Sequence, residues 1–280
     1  MEYKKGHKIK PKTITSIGEV VFTDGTNDVS PNQISCEAYG YTFDKATSSC
    51  LAFKYNHTLN TNFNNIENKI QGKNNTVETD TATTLIVGNN NTVKGQSSNI
   101  LINGKSHEVD NGINNATTLG AYGKVKNQGE LVLGGGIGTS DAPLGNNQTS
   151  IVQLGGVTSD ASRTNLTVHG AGTDYITVQN NSILGFEVKV IGLCYGGSSG
   201  TAGDYKYAEI KGAVQVDDGY NLTWSQSTTT IASVGTTGTV QMAAVSDPYI
   251  TVEATGSANV NIEWFASVQI TENKLYSVTF

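Results

Sequence analysis

Glycine stands at positions 72, 88, 104, 120 and 136 of this chain and valine at 77, 93, 109 and 125, so both residue types recur at an interval of 16. Each unit carries one apolar residue early and an apolar run just before its glycine; in the first these are Val77 and residues 85–87. Sixteen residues are too few for two helices and a turn, and the density of Asn, Gly and Thr disfavours helix altogether. Two short strands and two turns do fit. Gly and Asn supply left-handed turn conformations, and successive coils stack about 4.8 Å apart through backbone hydrogen bonds. The repeat therefore predicts a β-solenoid of about five coils, a rod segment of roughly 24 Å at that spacing.

A solenoid needs a filled interior, and each unit offers few apolar side chains. One chain alone is expected to be underfilled, whereas three chains around a common axis share one core, as cyclic homo-oligomers do. A homotrimer is the expectation. The formal net charge of −6 leaves no broad basic face for phosphate neutralisation, so no nucleic-acid partner is expected. No run approaches the roughly 20 apolar residues of a membrane span. Residues 1–12 carry lysines with no apolar stretch behind them, so neither a signal peptide nor membrane insertion is expected.

Beyond Gly136 the period breaks. Residues 137–149 read as an insertion, and strand-like pieces follow up to 182 as irregular coils. From 183 to 280 the chain reads as six to eight strands, with turn signals about every ten residues, the pattern of an antiparallel sandwich. The expected fold is all-β: a basic flexible arm (1–15), an N-terminal anchor module (16–55), a solenoid shaft (56–182, regular over 73–136) and a β-sandwich tip (183–280).

The Asn-rich 16-residue units resemble the head repeats of trimeric autotransporter adhesins and of phage fibres, which form trimeric β-rolls. The adhesin reading also calls for a secretion signal and a C-terminal membrane barrel, which favours the phage. The last hundred residues resemble a β-domain found at the C-terminus of phage fibres and structural proteins. Its pattern is F-x-V-x-V-I-G at 186–192, a Tyr-x-x-I-K strand from Tyr207 to Lys211 and a closing I-x-W-x-A-x-V strand from Ile262 to Glu272. The segment 16–55 resembles the start of fibre proteins in phages of Bacteroidetes hosts. These resemblances imply a homotrimeric, non-enzymatic structural fibre on the virion surface, assembled in the host cytoplasm. It would be held to the capsid as a head fibre by its N-terminus and present a tip to host-surface glycan. A receptor-binding tail fibre is the alternative, and a tailspike depolymerase a further one. Cys36 and Cys50 could bridge within one module, but a reducing cytosol favours free thiols, and reduced cysteines are the expectation.

Candidate chemistry is sparse. Polysaccharide cleavage needs two carboxylates across a scissile bond. The closest pairs, Glu78 with Asp80, Glu108 with Asp110 and Asp217 with Asp218, read as solvated turn residues. His7, His57, His107 and His169 lack metal-ligand spacing, and His107 takes the turn position held by Asn75 and Asn91. No catalytic residue, metal or other cofactor is expected. Lys4, Lys5, Lys8, Lys10 and Lys12 form a basic arm suited to ordering on an acidic virion surface. Trp264 alternates in phase with Val260, Ile262, Ala266 and Val268 and is expected on a buried strand face. Tyr220 and Trp224 flank a turn and are the candidate receptor contacts.

Overall fold

The computed structural model describes residues 2–15, 18–45, 47–52, 68–136, 143–170, 172–235 and 237–274. The expected start of the shaft at 56, His57 and much of the 137–149 insertion lie outside them. The chain divides into two units, 1–59 and 60–280.

In the first unit, β1 (Lys10–Ile14), β2 (Val20–Thr23) and β3 (Asp28–Val29) form one antiparallel sheet. The short helix α1 (Gln33–Ala38) is capped by Asn32, whose Oδ1 accepts from the Ser35 amide at 2.8 Å. β4 (Thr42–Asp44) and β5 (Ser49–Leu51) pair as a hairpin. Val20, Phe22, Cys36 and Cys50 make a small core, with the rings of Tyr39 and Tyr41 edge-on to Phe22. Two sequence expectations are corrected here. Cys36 and Cys50 form a disulfide, because packing α1 on β5 brings their Cα atoms to 5.7 Å, within bridging range. The basic segment is also not a loose arm: residues 10–14 are a sheet strand, Lys4 donates to the Ala38 carbonyl, and Lys12 pairs with Asp28.

The second unit opens with the solenoid. A parallel sheet is built from β6 (Lys69–Gln71), β8 (Ala82–Asn89), β10 (Ser98–Lys105), β12 (Thr117–Ala121) and β14 (Leu131–Gly135). Opposite it stand the two-residue strands β7 (Thr76–Val77), β9 (Thr92–Val93), β11 (Glu108–Val109) and β13 (Lys124–Val125). Left-handed residues repeat at the corners: Asn74, Asn90, Ser106 and Tyr122 in one row, Thr83, Asn99 and Asn115 in another. Asn is tolerated there because its short amide bonds locally.

The coils stack with a strict 16-residue register up to β12, where Gly88, Gly104 and Gly120 are cross-strand partners. The last coil is shorter: Gly120 pairs with Gly134, not with Gly136. Four coils rather than five are therefore found among the described residues. The reason is that β15 (Asn147–Thr158) runs antiparallel to β14 and ends the winding. Residues 147–158, read from sequence as irregular coil, belong to the sheet that follows.

That sheet continues through β24 (Asn261–Lys274), β19 (Ser182–Gly196), β20 (Tyr205–Val216) and β21 (Leu222–Val234), all antiparallel, while the short β17 (Thr167–Val168) pairs β15. A smaller sheet comprises β16 (Arg163–Asn165), β18 (Ile176–Thr177), β22 (Thr239–Ser246) and β23 (Tyr249–Thr255). Residues of both sheets enclose one core, including Phe186, Val188, Ile262 and Trp264 from the first and Met242, Ile250 and Val252 from the second. Trp264 is buried as expected, and its indole Nε1 donates to Thr158 Oγ1 at 2.9 Å. A β-carbon at Gly192, its cross-strand partner, would lie 2.5 Å from the ring. The motif glycine thus makes room for the indole.

Inside the coils an amide ladder replaces part of the apolar core. Asn75 Oδ1 accepts from the Asn91 amide at 3.0 Å, and Asn91 Oδ1 from the His107 amide at 2.9 Å. The His107 Nδ1 accepts from the Gly123 amide, while its Nε2 donates to the Gly120 carbonyl. His107 is therefore a buried rung of the ladder, at the turn position that Asn75 and Asn91 hold in the preceding coils. Its Nδ1 faces donors, and burial lowers its pKa. The unfolded chain then binds a proton that the folded chain refuses. His107's contribution to stability is complete above the ordinary histidine value and lost as pH falls below it. His107→Asn, which keeps the rung, is expected to lose less of its urea midpoint than the parent between about pH 7.5 and about pH 5.5, roughly one unit either side of an ordinary histidine. Equal losses in the two proteins would refute the assignment.

Candidate functional site

Strand alternation divides each apolar run in two. In the solenoid sheet Ile86, Ile102 and Val132 point inward and are fully buried, whereas Leu85, Val87, Leu101, Leu119 and Leu133 point outward and are 37–45% exposed. The single-chain interior is consequently not underfilled, as the sequence reading had it. Valines, isoleucines and the Asn–His ladder fill it within one chain. What remains open is the outer face.

The sheet itself continues across β15, β24, β19 and β20; next to the coils its outward side chains are polar, with Gln153, Gln269, Glu187 and Lys189 exposed, and apolar ones return farther along the strands. Two cross-strand rows cover its far part: Gly155, Phe265, Ile191 and Tyr207 in one, and Val157, Glu263, Leu193 and Tyr205 in the next. Phe265, Ile191, Val157 and Leu193 are each about half exposed. Large exposed apolar patches are uncommon on monomers and mark interaction surfaces. The signal for this face lies in the apolar runs of the sequence, where strand alternation sends every second side chain outward.

The expected receptor aromatics lie elsewhere. Trp224 is partly buried and sits edge-on to Phe186 at 6.1 Å, and Tyr220 also packs on the C-terminal core. Both contribute to packing, and the structure does not bring them together as an open platform. The more exposed tyrosines of this region are Tyr195 and Tyr205. Of the five lysines of the N-terminal segment, Lys4 and Lys10 lie over the Tyr39 and Tyr3 rings and Lys12 pairs with Asp28.

The acidic pairs fall in turns and ladders. Glu108 and Asp110 both meet Lys94 and Lys124, at 2.8–3.2 Å. Burial raises the Glu108 pKa, but the two lysines outweigh it and hold the carboxyl below its usual range. Glu78 accepts from the Gly95 amide, and Asp217 accepts from the amide of Asn221.

Sequence reasoning missed a buried polar cluster where the solenoid meets the next sheet. Glu130 follows Ala116 in the inward column of the coils. Its Oε2 accepts from the amides of Lys126 and Asn127 at 2.7 and 3.0 Å, and burial raises its pKa. The Lys126 ammonium pairs with Glu272 on β24, with both side chains at most 4% exposed. Gln148 and Gln179 donate to the two Glu272 oxygens. The cluster closes the end of the coil interior and joins residues 146 positions apart.

No protein-family model matches the chain, and no curated protein matches it in sequence. Solved structures similar to it include a tailspike protein from Acinetobacter baumannii bacteriophage Fri1, described as a capsular polysaccharide depolymerase, at 10% identity and a TM-score of 0.29. That alignment covers 74% of this chain and 45% of the other. The tailspike of Acinetobacter baumannii phage AM24 is similar at 11% identity and a TM-score of 0.26, over 62% of this chain and 34% of that one. The chain thus spans less than half the length of either. The expectation of a non-enzymatic chain is corrected by the first of these findings, because the similar tailspike is described as an enzyme.

Proposed function

We propose that this chain is a homotrimeric fibre or tailspike-like protein of a bacteriophage virion that presents its C-terminal β-domain to host-surface glycan. The observation that carries the reading is the pair of exposed apolar patches on the outer face of one long sheet, Leu85, Leu101, Leu119 and Leu133 in the coils and Phe265, Ile191 and Leu193 in the C-terminal strands. A second and third copy of the same chain are its occupants. Its rows are spaced by the repeat itself, so identical faces match one another around a three-fold axis. The Asn-rich units and the C-terminal strand motifs, which resemble phage fibres, support the virion setting.

Attachment falls to the N-terminal unit, whose lysines Lys5 and Lys8 extend its basic character. It acts as a folded, disulfide-closed module rather than a loose arm. Rooting on the capsid makes the protein a head fibre, and rooting on the tail makes it a receptor-binding one. Cryo-electron microscopy of virions separates these.

The assembly is tested by light scattering on the purified full chain. The expected mass is three times the 29.5 kDa of one chain. Leu101→Glu with Leu119→Glu is expected to shift the population to monomers while leaving the β-sheet circular dichroism unchanged. A monomeric parent protein at micromolar concentration would sink the proposal. Incubating the trimer with capsular polysaccharide and sizing the glycan afterwards reads whether the polymer is held or cut.

A further inference from the structure

A cleft of about 360 Å³ lies between the last solenoid coil and the smaller C-terminal sheet. None of its lining residues belongs to the long sheet, so a trimer formed through the outer face leaves their side of the chain uncovered. Its walls come from the loop after β13, the loop before β18, and the turn joining β22 to β23. The volume is at the lower end of the roughly 300–1,000 Å³ of small-ligand sites.

The lining is mostly neutral and hydrogen-bonding. Asn127 is 3% exposed. Its Oδ1 accepts from the Thr177 amide at 2.6 Å, while its Nδ2 is buried without a partner among the described residues. A buried donor left without an acceptor is destabilising, and a ligand oxygen that accepts from it recovers that loss. The loop that carries Asn127 is fixed from below by the Glu130 carboxylate. Gln128 is fixed as well: its Nε2 donates to the Gly112 carbonyl at 2.7 Å and its Oε1 accepts from the Asn114 amide. The donor is therefore held in place before any ligand arrives.

Tyr175 and Tyr249 add two rings that are apolar on the face and polar at the tip, and Tyr249 is 38% exposed. The Lys126 ammonium on the wall is already committed to Glu272, and Asp174 supplies a carboxylate that disfavours anions. A rigid amide donor, hydroxyl-bearing neighbours and aromatic rings without a free cation suit a ring that carries hydroxyls on its edge and C–H groups on its face.

We infer that this cleft binds a neutral hexose or N-acetylhexosamine unit of a glycan, with Asn127 Nδ2 as the orienting donor and Tyr249 as a stacking wall. The inference rests on the proposed adhesion function for the source of the sugar, but not for the binding chemistry. The test is saturation-transfer difference NMR on the full chain, with the methyl glycosides of glucose, galactose and N-acetylglucosamine as probes. Asn127→Asp keeps the acceptor for the Thr177 amide and removes the donor, while Tyr249→Ala removes the ring. Each is expected to weaken binding at least tenfold without changing the mass from light scattering or the thermal midpoint by more than a few degrees. Absence of signal from all three probes overturns the inference, and so does signal that survives both substitutions. Either result leaves the trimer untouched, whereas a monomeric parent that still binds the glycosides would refute the assembly and retain the cleft.

Discussion

Gly104→Ala is expected to cost at least about 3 kcal/mol of stability, combining overpacking against backbone with a strained left-handed backbone. Gly104 has φ +150°, and a β-carbon on it would lie 1.9 Å from the Gly120 carbonyl oxygen and 2.6 Å from His107 Nε2. That carbonyl cannot retreat, because it accepts from the His107 ring and belongs to the next coil's strand. Gly88 stands in the same relation to the Gly104 carbonyl, at 1.8 Å. The control is Gly136→Ala. Gly136 lies in phase with the glycine period and has φ +96°, yet nothing lies within 4 Å of where its β-carbon would be. Only backbone strain of about 1 kcal/mol is expected there. Urea denaturation followed by circular dichroism distinguishes the two, and equal midpoints would remove the stacking contact as the cause of the glycine period.

Lys126→Ala is expected to be at least as damaging. It leaves the Glu272 carboxylate buried opposite no cation, and breaking one partner of such a pair costs about 3–5 kcal/mol. The loss should appear as early, coupled unfolding of the coils and the C-terminal sheets, because the pair links the loop after β13 to β24. Lys126→Met combined with Glu272→Leu removes both charges at similar volume and should recover most of the stability, since desolvation offsets much of what a buried pair gains. If the double variant is no more stable than Lys126→Ala, the cluster acts through the hydrogen bonds that Gln148 and Gln179 make to Glu272 instead.

Much of the solenoid was legible in the sequence because a coil is a local object. Its turns need left-handed residues at a fixed spacing, its closest approach needs glycine, and its interior needs an apolar residue such as Val77 or Val93. All of these recur every 16 positions. The C-terminal strands were legible for a similar reason: alternation along one strand is enough to bury Trp264 beside Gly192. Other features depend on residues that are distant in the chain, and no local pattern records those. The two-residue shortening of the last coil follows from the antiparallel docking of β15. The Cys36–Cys50 bond follows from how α1 packs on β5. The half-buried state of Trp224 follows from Phe186 on another strand. Glu130 and Lys126 read as ordinary polar residues of a turn until β24 brings Glu272 against them. The sequence by itself determined the repeat, its strands and the outward row of leucines. Only the tertiary structure decided where the winding stops, which charges are buried and which cleft opens between the sheets, because those depend on contacts between segments as much as 146 residues apart.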